Sequence, residues 1–518
     1  MSVAELLDLI KLGKLTQPGR LWNGLFRLAR ALKKHDIARV RKGTSPPSPR
    51  LLPAKLTDQP KTPMQKTQIN FIRGWPAPEL LPAGQLAAAC QRVLATDRPD
   101  VYTPLLEYGA DEGYAPLRRG LATWLGRHYG VAPDPDRICV TGGASQNLAR
   151  ILQSFSDAHV TRAVWAVAPV YHLAVPIFQD AGFGGAACGP RPRTKTASTS
   201  TPCARGWRRW SRRKRPTKLP HPKRKFYRHL VYLVPTCANP SGKSMPVARR
   251  EALVRLARKY DALIISDDVY DFLQWPLDGP VTAAPAPETL LPRLCDIDLA
   301  LPRADGDPDG FRHTVSNGSF SKISGPGVRT GWAEASPAFV AGLASTGSTR
   351  SGGAPSQLCA GMLSDLVDSG ELERNIHQIL RPALQRRHRL LLDAVRKHLA
   401  PHGVMFREAS LTGGKSFGGY FLWLKLKPGF SADLVAKVAS EEENVIIGFG
   451  NMFTVQGEKT KTSFDQYFRL CFSWLPEEEL EEGVKRLEKV LVRIEKNEQH
   501  YKALEQKMLG QGDTRQFV

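Results

Sequence analysis

Three absences narrow the class of this protein. No apolar run approaches the ~18 residues that a membrane-spanning helix requires. The eight cysteines of the 518-residue chain form no CxxC pair and no small-domain disulfide spacing, which favours a reducing compartment and no metal site of that type. The chain opens with Glu5 and Asp8, and no long apolar segment follows, so we expect no export signal. We expect a cytoplasmic protein and interpret the basic amphipathic pattern of residues 20–42 as a dispensable extension. A mitochondrial targeting helix and a membrane-surface helix are the alternatives.

Acidic residues are also missing from one long segment. Residues 181–230 contain 15 basic side chains and no acidic one, and residues 1–63 contain 13 basic and 4 acidic ones. These two segments account for the whole formal net charge of +24, so the rest of the chain is net neutral. The basic total therefore gives little support to nucleic-acid binding by the folded body.

What is present from about Met64 onward is an alternation of short β-branched runs with helical patterns, which predicts a sheet flanked by helices. The predicted strands are Arg137–Thr141, Ala163–Ala168, Leu230–Val234, Ala262–Ser266 and His313–Gly318, with helices starting after Ser145, Tyr171 and Met245. Each strand brings polar or aromatic residues to its carboxyl end, where open α/β sheets place ligands.

The C-terminal third has a different pattern. A charged helix is predicted at about 370–400, then a hairpin from VMFREAS and GGYFLWLKL, then VIIGFG and YFRLCFSW, and a closing charged helix from Pro476 to about Leu504. This order is typical of a smaller α+β lobe.

The string SNGSFSKISGPGVR (316–329) carries the clearest chemistry. Lysine amines form imines with carbonyls and with pyridoxal phosphate, so Lys322 suits an aldehyde cofactor. Ser319, Ser321 and Arg329 are placed to hold its phosphate, the arginine by charge-assisted hydrogen bonds. Alone, the string is also compatible with an ordinary Ser/Gly loop.

Two further strings support this interpretation. TGGASQNL (141–148) follows a strand and opens a helix, which suits a phosphate but matches neither a dinucleotide nor an ATP motif. A strand ending in Asp267 can hold a pyridine nitrogen protonated, and Tyr270 and Asn239 are placed for the ring's phenolic oxygen. Asp268 remains the alternative to Asp267.

Together these strings resemble the class I/II aminotransferases, which are fold-type-I pyridoxal-phosphate enzymes, and most closely their kynurenine/2-aminoadipate aminotransferase branch with its fungal relatives. Six motifs occur in the family's order between Gln68 and Leu491. The other three are INFIRGWP (69–76), YGADEGYAPLRRGLATWL (108–125) and FRLCFSW (468–474). The resemblance implies a large domain with a mainly parallel seven-stranded sheet sandwiched by helices, plus a smaller lobe. It assigns residues 1–63 to a basic extension and linker, 64–110 and 366–505 to the small lobe, and 111–365 to the large cofactor-binding domain.

The resemblance also implies a role for individual residues. Lys322 would form the imine with pyridoxal 5'-phosphate and act as general acid and base, Asp267 would contact the ring nitrogen, and Arg469 would bind the substrate α-carboxylate. The remaining implied contacts are Tyr171 stacking on the ring, Asn239 and Tyr270 at its phenolic oxygen, Ala144, Ser145, Ser319, Ser321 and Arg329 at the phosphate, Tyr108 at the phosphate of a neighbouring subunit, and Gly74 and Asn239 along the substrate pocket. The implied partners are an amino acid, a 2-oxo acid and a second copy of the chain.

Other residues are given structural interpretations. We expect His172 to be packed or solvated, Trp165 and Trp332 to lie in the core, and the charges of 476–505 to form a solvated helix face.

The sequence departs from the family at two places. Residues of about 186–225 lack the family's acidic helix, and we hypothesise that a frame error produced this basic insert; a genuine loop that binds RNA or anionic lipid is the alternative. The Pro/Asp/Gly-rich segments at 276–294 and 304–310 are expected to lie on the surface and to reach the substrate entrance.

The predicted reaction is transfer of an amino group from an aromatic or 2-aminoadipate-like amino acid to a 2-oxo acid by a ping-pong mechanism. The same fold serves β-lyases, cyclopropane-forming synthases and decarboxylases. A ligand-sensing regulator and a non-catalytic nucleic-acid-binding protein are the alternatives from other classes.

Overall fold

Strands and helices alternate through most of the computed structural model, which describes residues 66–95, 97–184, 188–192, 218–219, 221–282, 289–455 and 464–511. The strands are β1 (Ile69–Asn70), β2 (Ile138–Thr141), β3 (Ala163–Ala168), β4 (Cys188–Pro192), β5 (His229–Leu233), β6 (Ala262–Asp267), β7 (Gln274–Pro276), β8 (Thr314–Ser319), β9 (Gly331–Glu334), β10 (Ser416–Gly418), β11 (Phe421–Lys425), β12 (Val445–Ile446), β13 (Gly448–Phe449) and β14 (Tyr467–Cys471). The α-helices are Ala83–Val93, Pro99–Leu106, Ala115–Tyr129, Ala144–Phe155, Ala174–Asp180, Val247–Lys259, Leu294–Ala300, Pro337–Ala344, Gln357–Asp368, Glu371–Asn375, Arg381–Ala394, Ala432–Glu443, Glu477–Lys496 and Glu498–Gln511.

The central sheet has seven strands in the order β2-β9-β8-β6-β5-β3-β4. Strand β9 runs antiparallel to both β2 and β8, and every other neighbouring pair is parallel. The sheet therefore has the mainly parallel, seven-stranded form that was predicted. Its five predicted strands agree with β2, β3, β5, β6 and β8 to within one residue at each end.

Apolar side chains cover the sheet on both faces. One cluster joins it to the helices Ala144–Phe155 and Pro337–Ala344, and a second cluster joins it to Val247–Lys259 and Leu294–Ala300. Burial on both faces explains why β3 and β6 are mainly apolar runs, AVWAVA and ALIISD, rather than alternating apolar and polar residues. The carboxyl ends of the parallel strands meet at one edge, which leaves a crevice for a ligand.

Smaller sheets tie the C-terminal third to the rest of the chain. Strands β11, β14 and β13 form an antiparallel sheet with β14 in the middle. Strand β1 pairs with β12, so Ile69 lies beside Val445, and β7 pairs with β10. Residues near 70 and residues of the C-terminal third therefore meet around β14.

Two details of the predicted C-terminal third were wrong. VMFREAS forms no strand; Met405 makes a single antiparallel bridge to Lys425. The closing helix is broken: one helix ends at Lys496, Asn497 leaves helical geometry (φ −125°, ψ 45°), and a second helix begins at Glu498.

The Pro/Asp/Gly-rich segment after β7 is only partly on the surface, contrary to the prediction. Arg293 is 1% exposed. Its guanidinium forms ion pairs with Asp296 (2.9 Å) and Glu334 (2.5 Å) and lies 4.0 Å from the ring of Tyr129. A buried arginine is tolerated here because two carboxylates and an aromatic face replace the water that it loses.

The predicted basic extension and most of the basic insert lie outside the described residues. Within the insert, β4 pairs in parallel with β3 at the edge of the central sheet, so a strand exists where only an aberrant segment was expected. The frame-error hypothesis and the lobe boundaries stay predictions. In the part of the chain that the structure describes, no helix has the length and apolar character to cross a membrane.

Close packing inside the sheet gives a testable prediction at Gly318. A Cβ at Gly318 would lie 2.1 Å from Cε2 of Trp332, which is itself buried as expected. We expect Gly318→Ala to lower the free energy of unfolding by about 1–3 kcal/mol, because the indole must shift in a filled core. The measurement is the midpoint of urea-induced unfolding.

The matched control is Gly84→Ala. Gly84 lies in the helix Ala83–Val93, and a Cβ there has no neighbour within 4 Å. Alanine is favoured over glycine in a helix by up to about 1 kcal/mol, so this variant should be as stable as the wild type or more so. Equal midpoints for the two variants would contradict the packing argument.

Candidate active site

A cavity of about 440 Å³ opens at the carboxyl ends of the parallel strands. The residues that line it come from the turns after β2, β3, β5, β6 and β8, from the segment after β1, and from β11 and β14. They are Ile72, Arg73, Gly74, Trp75, Ala144, Ser145, Tyr171, His172, Leu173, Val234, Asn239, Asp267, Val269, Tyr270, Ser319, Ser321, Lys322, Pro326, Arg329, Phe421 and Arg469. The topology thus brings together segments from nearly the whole folded chain.

Lys322 stands on the short 3₁₀ turn that follows β8. Its Nζ donates a hydrogen bond to the carbonyl of Gly74 at 2.7 Å and lies 5.2 Å from the ring of Tyr420. Burial lowers the pKa of Lys322 to about 8. At pH 7 about a tenth of the amine is therefore uncharged, far more than for a lysine with the usual pKa, and the uncharged form is the one that attacks carbonyl groups.

Asp267 ends β6 and is 7% exposed. Its Oδ2 accepts a hydrogen bond from the hydroxyl of Tyr232 at 2.6 Å, whereas its buried Oδ1 has no partner. Burial raises the pKa of Asp267 to about 6. An unpartnered carboxylate oxygen beside the cavity is a place for a donor on a ligand.

Asp268, the alternative to Asp267, lies off the cavity. Its two carboxylate oxygens accept hydrogen bonds from the hydroxyls of Ser266 (2.6 Å) and Ser316. Since both partners lie within the sheet, Asp268 belongs to the sheet interior. The structure places Asp267, and not Asp268, at the site.

An anion cradle lies between the turn after β2 and the turn after β8. Gly143 has φ 95°, and a Cβ there would come 2.9 Å from Nη2 of Arg329. Ala144 and Ser145 begin a helix that has no side-chain cap, so its first N–H groups are available to an anion. The hydroxyls of Ser319 and Ser321, 2.9 Å apart, complete the cradle.

Arg469 lies on β14, the middle strand of the three-stranded sheet, and is 2% exposed. It donates to Oδ1 of Asn239 at 2.6 Å and to the carbonyl of Ile72, and its guanidinium packs 4.1 Å from the ring of Phe421. No carboxylate of the described residues pairs with it, and its buried Nε has no partner. Burial lowers the pKa of Arg469 to about 10. A buried guanidinium without a counter-ion indicates that the carboxylate comes from a ligand.

The remaining predicted site residues divide into two groups. Tyr171, Asn239, Tyr270 and Gly74 line the cavity, and a Cβ at Gly74 would lie 2.7 Å from the ring of Phe421. Tyr108 does not line the cavity of its own chain and is 91% exposed. That position leaves its implied contact with a neighbouring subunit a prediction.

Several residues at the site were not predicted from the sequence. Tyr232, which holds Asp267, is the one aromatic residue of a five-residue buried strand, HLVYL, and this interruption was the available signal. Tyr420 and Phe421 offered none, because they look like ordinary core residues. His172, which was expected to be packed or solvated, packs edge to face against Tyr171 and Phe453 and also lines the cavity. Burial lowers its pKa to about 4, so it is uncharged near neutral pH.

Comparison with known proteins gives a family that accounts for this arrangement. Residues 217–487 match the family described as aminotransferase class I and II. An uncharacterised protein of Saccharomyces cerevisiae is 30% identical over 442 residues, which are 81% of this chain and 96% of that protein. The chain belongs to the class I and II aminotransferases. It is a transaminase of the pyridoxal-phosphate-dependent, fold-type-I class.

Two further comparisons concern proteins from Thermus thermophilus. The aminotransferase is 28% identical to a 2-aminoadipate transaminase over 439 residues, which are 84% of this chain and 92% of that protein. It is also similar to the solved structure of an alpha-aminoadipate aminotransferase complexed with N-(5'-phosphopyridoxyl)-L-leucine. That match has 26% identity and a TM-score of 0.59, and it covers 82% of this chain and 92% of the other.

The raised pKa of Asp267 yields a prediction for the cofactor-free aminotransferase. The folded state holds the Asp267 proton up to about pH 6, whereas an unfolded aspartate releases it near pH 4. The free energy of unfolding therefore falls as the pH rises between these two values. The total decrease is about 3 kcal/mol and is reached above pH 6. We expect Asp267→Asn to be more stable than the wild type at pH 7.5 and equally stable at pH 4, measured by urea unfolding.

Asp393→Asn is the control. The Asp393 side chain is 69% exposed beside Arg396, so its replacement should move the urea midpoint little at either pH. If the wild type is more stable than Asp267→Asn at pH 7.5, the ionised carboxylate of Asp267 does not destabilise the folded state, which would contradict the prediction.

Proposed function

We propose that this aminotransferase moves an amino group from an amino acid with an aromatic or 2-aminoadipate-like side chain to a 2-oxo acid, by a ping-pong mechanism. The observation that carries the proposal is the buried Arg469, a guanidinium without a counter-ion in the same cavity as the amine of Lys322. Amino acids and 2-oxo acids both carry an α-carboxylate, and either one can supply the counter-ion for Arg469.

The residues present fit pyridoxal phosphate at three points. The unpartnered Oδ1 of Asp267 suits a protonated ring nitrogen, the cradle around Gly143 and Arg329 suits a phosphate, and the amine of Lys322 suits an aldehyde. When bound, pyridoxal phosphate supplies that aldehyde and a ring that withdraws electrons from the substrate's α-carbon.

Each side chain then has a defined task. Arg469 binds the α-carboxylate, and its orientation is fixed by Asn239 and by the carbonyl of Ile72. Lys322 would take the proton from the substrate's α-carbon, since its lowered pKa lets its amine accept and return a proton near neutral pH. Tyr232 holds Asp267 towards the ring.

One carboxylate site serves both substrates, which explains the order of events. Arg469 is the one buried, counter-ion-free arginine among the described cavity residues, so the amino acid and the 2-oxo acid compete for it. The first product must therefore leave before the second substrate binds, which gives ping-pong kinetics.

Lys322→Ala tests this proposal. We expect the variant to retain no covalently bound cofactor after borohydride reduction and to lose transamination by at least about 100-fold, because the acid–base group is gone. Intact mass measures the first effect and donor turnover with 2-oxoglutarate the second. Lys489→Ala, a change at an exposed lysine of the helix Glu477–Lys496, should match the wild type.

A half-reaction separates transamination from lyase or synthase chemistry on the same fold. Enzyme mixed with an amino donor alone should release one equivalent of oxo acid per site and then stop until 2-oxoglutarate is added. Continued turnover of the donor alone, with ammonia released, would contradict the proposal. Aromatic donors, 2-aminoadipate and small aliphatic donors should be compared.

We also propose that two copies of the chain associate. Leu106 and Tyr108 are exposed by 65% and 91%, which suits a contact surface, and the family resemblance implies that Tyr108 reaches the partner's phosphate. Light scattering should give twice the mass of one chain. Tyr108→Ala should weaken cofactor affinity at unchanged mass; unchanged affinity would remove Tyr108 from that role.

A further inference from the structure

Tyr420 contacts both ends of Lys322. Its hydroxyl donates a hydrogen bond to the backbone carbonyl of Lys322 at 3.3 Å. The centroid of its ring lies 5.2 Å from Nζ of the same lysine. One aromatic side chain therefore contacts both the turn that carries the lysine and the amine at the end of its side chain.

The two contacts of Tyr420 differ in strength. A bond between a hydroxyl and a carbonyl has a usual length of about 2.7–2.8 Å, so a bond of 3.3 Å is weak. A cation within about 6 Å of a ring centroid is attracted by the negative face of the ring, and this attraction is stronger where water is excluded. Because Tyr420 is only 1% exposed, the ring face makes the larger contribution.

The backbone fixes Tyr420 in the turn between β10 and β11. Its carbonyl accepts a hydrogen bond from the amide of Phe472 at 3.0 Å. The preceding Gly419 has φ 77°, and its amide donates to the carbonyl of Leu273 at 2.9 Å. The ring of Tyr420 also packs against Tyr270, with centroids 5.5 Å apart. Tyr420 is therefore a rigid support, and it lies behind the described residues that line the cavity.

The other ionisable groups near the amine of Lys322 largely offset one another. Burial is the main cause that lowers the pKa of Lys322; Cys471 and Asp267 act in the opposite direction, and Arg469 acts in the same direction as burial. Burial also raises the pKa of the Cys471 thiol, which is therefore uncharged near neutral pH. Asp267 and Arg469 carry opposite charges. The ring of Tyr420 is thus a neutral group whose contact favours the protonated amine.

We infer that Tyr420 is a positioning residue that directs the amine of Lys322 at the cavity and stabilises its protonated form. The inference rests on the proposed function, in which Lys322 takes the proton from the substrate's α-carbon. As the amine gains that proton it becomes a cation beside the ring face, so its attraction to Tyr420 grows during the step. A contact that strengthens during the reaction raises kcat and leaves KM unchanged.

Two variants with rings of nearly the same shape test the inference in the cofactor-free, full-length chain. Tyr420→Phe keeps the ring face and loses only the weak hydroxyl bond, so the pKa of Lys322 should change by less than about 0.2. Pentafluorophenylalanine at position 420 reverses the charge of the ring face, so the pKa of Lys322 should fall by about 0.5 or more. The rate at which an acylating reagent labels Lys322 at each pH, followed by peptide mass, measures this pKa.

The holoenzyme gives a second readout. Tyr420→Leu removes the ring and should lower kcat about fivefold or more, with little change in KM for the amino donor, because Arg469 is untouched. The primary isotope effect for a donor deuterated at its α-carbon should increase, since proton transfer becomes slower. Tyr420→Phe should keep most of the wild-type kcat.

Tyr467→Leu is the matched control. Tyr467 lies on β14, and the centroid of its ring is 5.6 Å from Nζ of Lys425. This pair repeats the contact between a tyrosine ring and a lysine amine, but neither residue lines the cavity. Tyr467→Leu should therefore match the wild type in kcat, in the isotope effect and in the pKa of Lys322.

Two results would overturn the inference and leave the aminotransferase proposal standing. One is an equal pKa of Lys322 in the Phe and pentafluorophenylalanine variants, a comparison that decides the question even if Tyr420→Leu does not fold. The other is a lower kcat in Tyr420→Leu with an unchanged isotope effect, because that combination indicates a general structural defect. A wild type that transaminates no donor would instead overturn the proposed function, and this inference with it.

Discussion

The site depends on two backbone carbonyls. Those of Ile72 and Gly74 accept hydrogen bonds from Arg469 and Lys322, and so set the spacing between the group that binds a carboxylate and the group that moves a proton. Both carbonyls belong to a segment that is itself held by β12 and β14. Rigid backbone is a better support for this purpose than flexible side chains, because small displacements of reacting groups are costly.

Two of the buried polar atoms without partners belong to charged side chains that line the cavity. Nε of Arg469 and Oδ1 of Asp267 are both buried and without partners, although most buried polar atoms in proteins are hydrogen-bonded. The two groups carry opposite charge and take different partners in the proposed function, a substrate carboxylate at Arg469 and a protonated ring nitrogen of the cofactor at Asp267. These unpartnered groups lower the stability of the ligand-free protein, and they are the groups that a bound ligand would satisfy.

Local chemistry was predictable from the sequence. The strand leading to Asp267 follows from an aliphatic run. A lysine among hydroxyl and glycine residues indicates its chemistry without any tertiary information. The positions of the cavity residues follow from the rule that parallel strands place ligands at their carboxyl ends.

Contacts between distant segments were not predictable. Tyr232 reaches Asp267 across two neighbouring strands, which depends on register. Arg293 is buried although its segment is rich in proline, since Asp296 and Glu334 compensate its charge. Hydropathy assigns such a segment to the surface, because it carries no information about pairing.

The wide separation of partners along the chain bears on the order of synthesis. The hydrogen bonds from Lys322 to Gly74 and from Arg469 to Ile72 span 248 and 397 residues. The segment that carries the Ile72 and Gly74 carbonyls therefore leaves the ribosome long before Lys322 and Arg469 are synthesised. Closing such long loops is slow. The nascent chain can assemble much of its central sheet before β14 is available to contact the segment with these two carbonyls. The hydrogen bonds that hold Lys322 and Arg469 can therefore both form only after β14 has been synthesised.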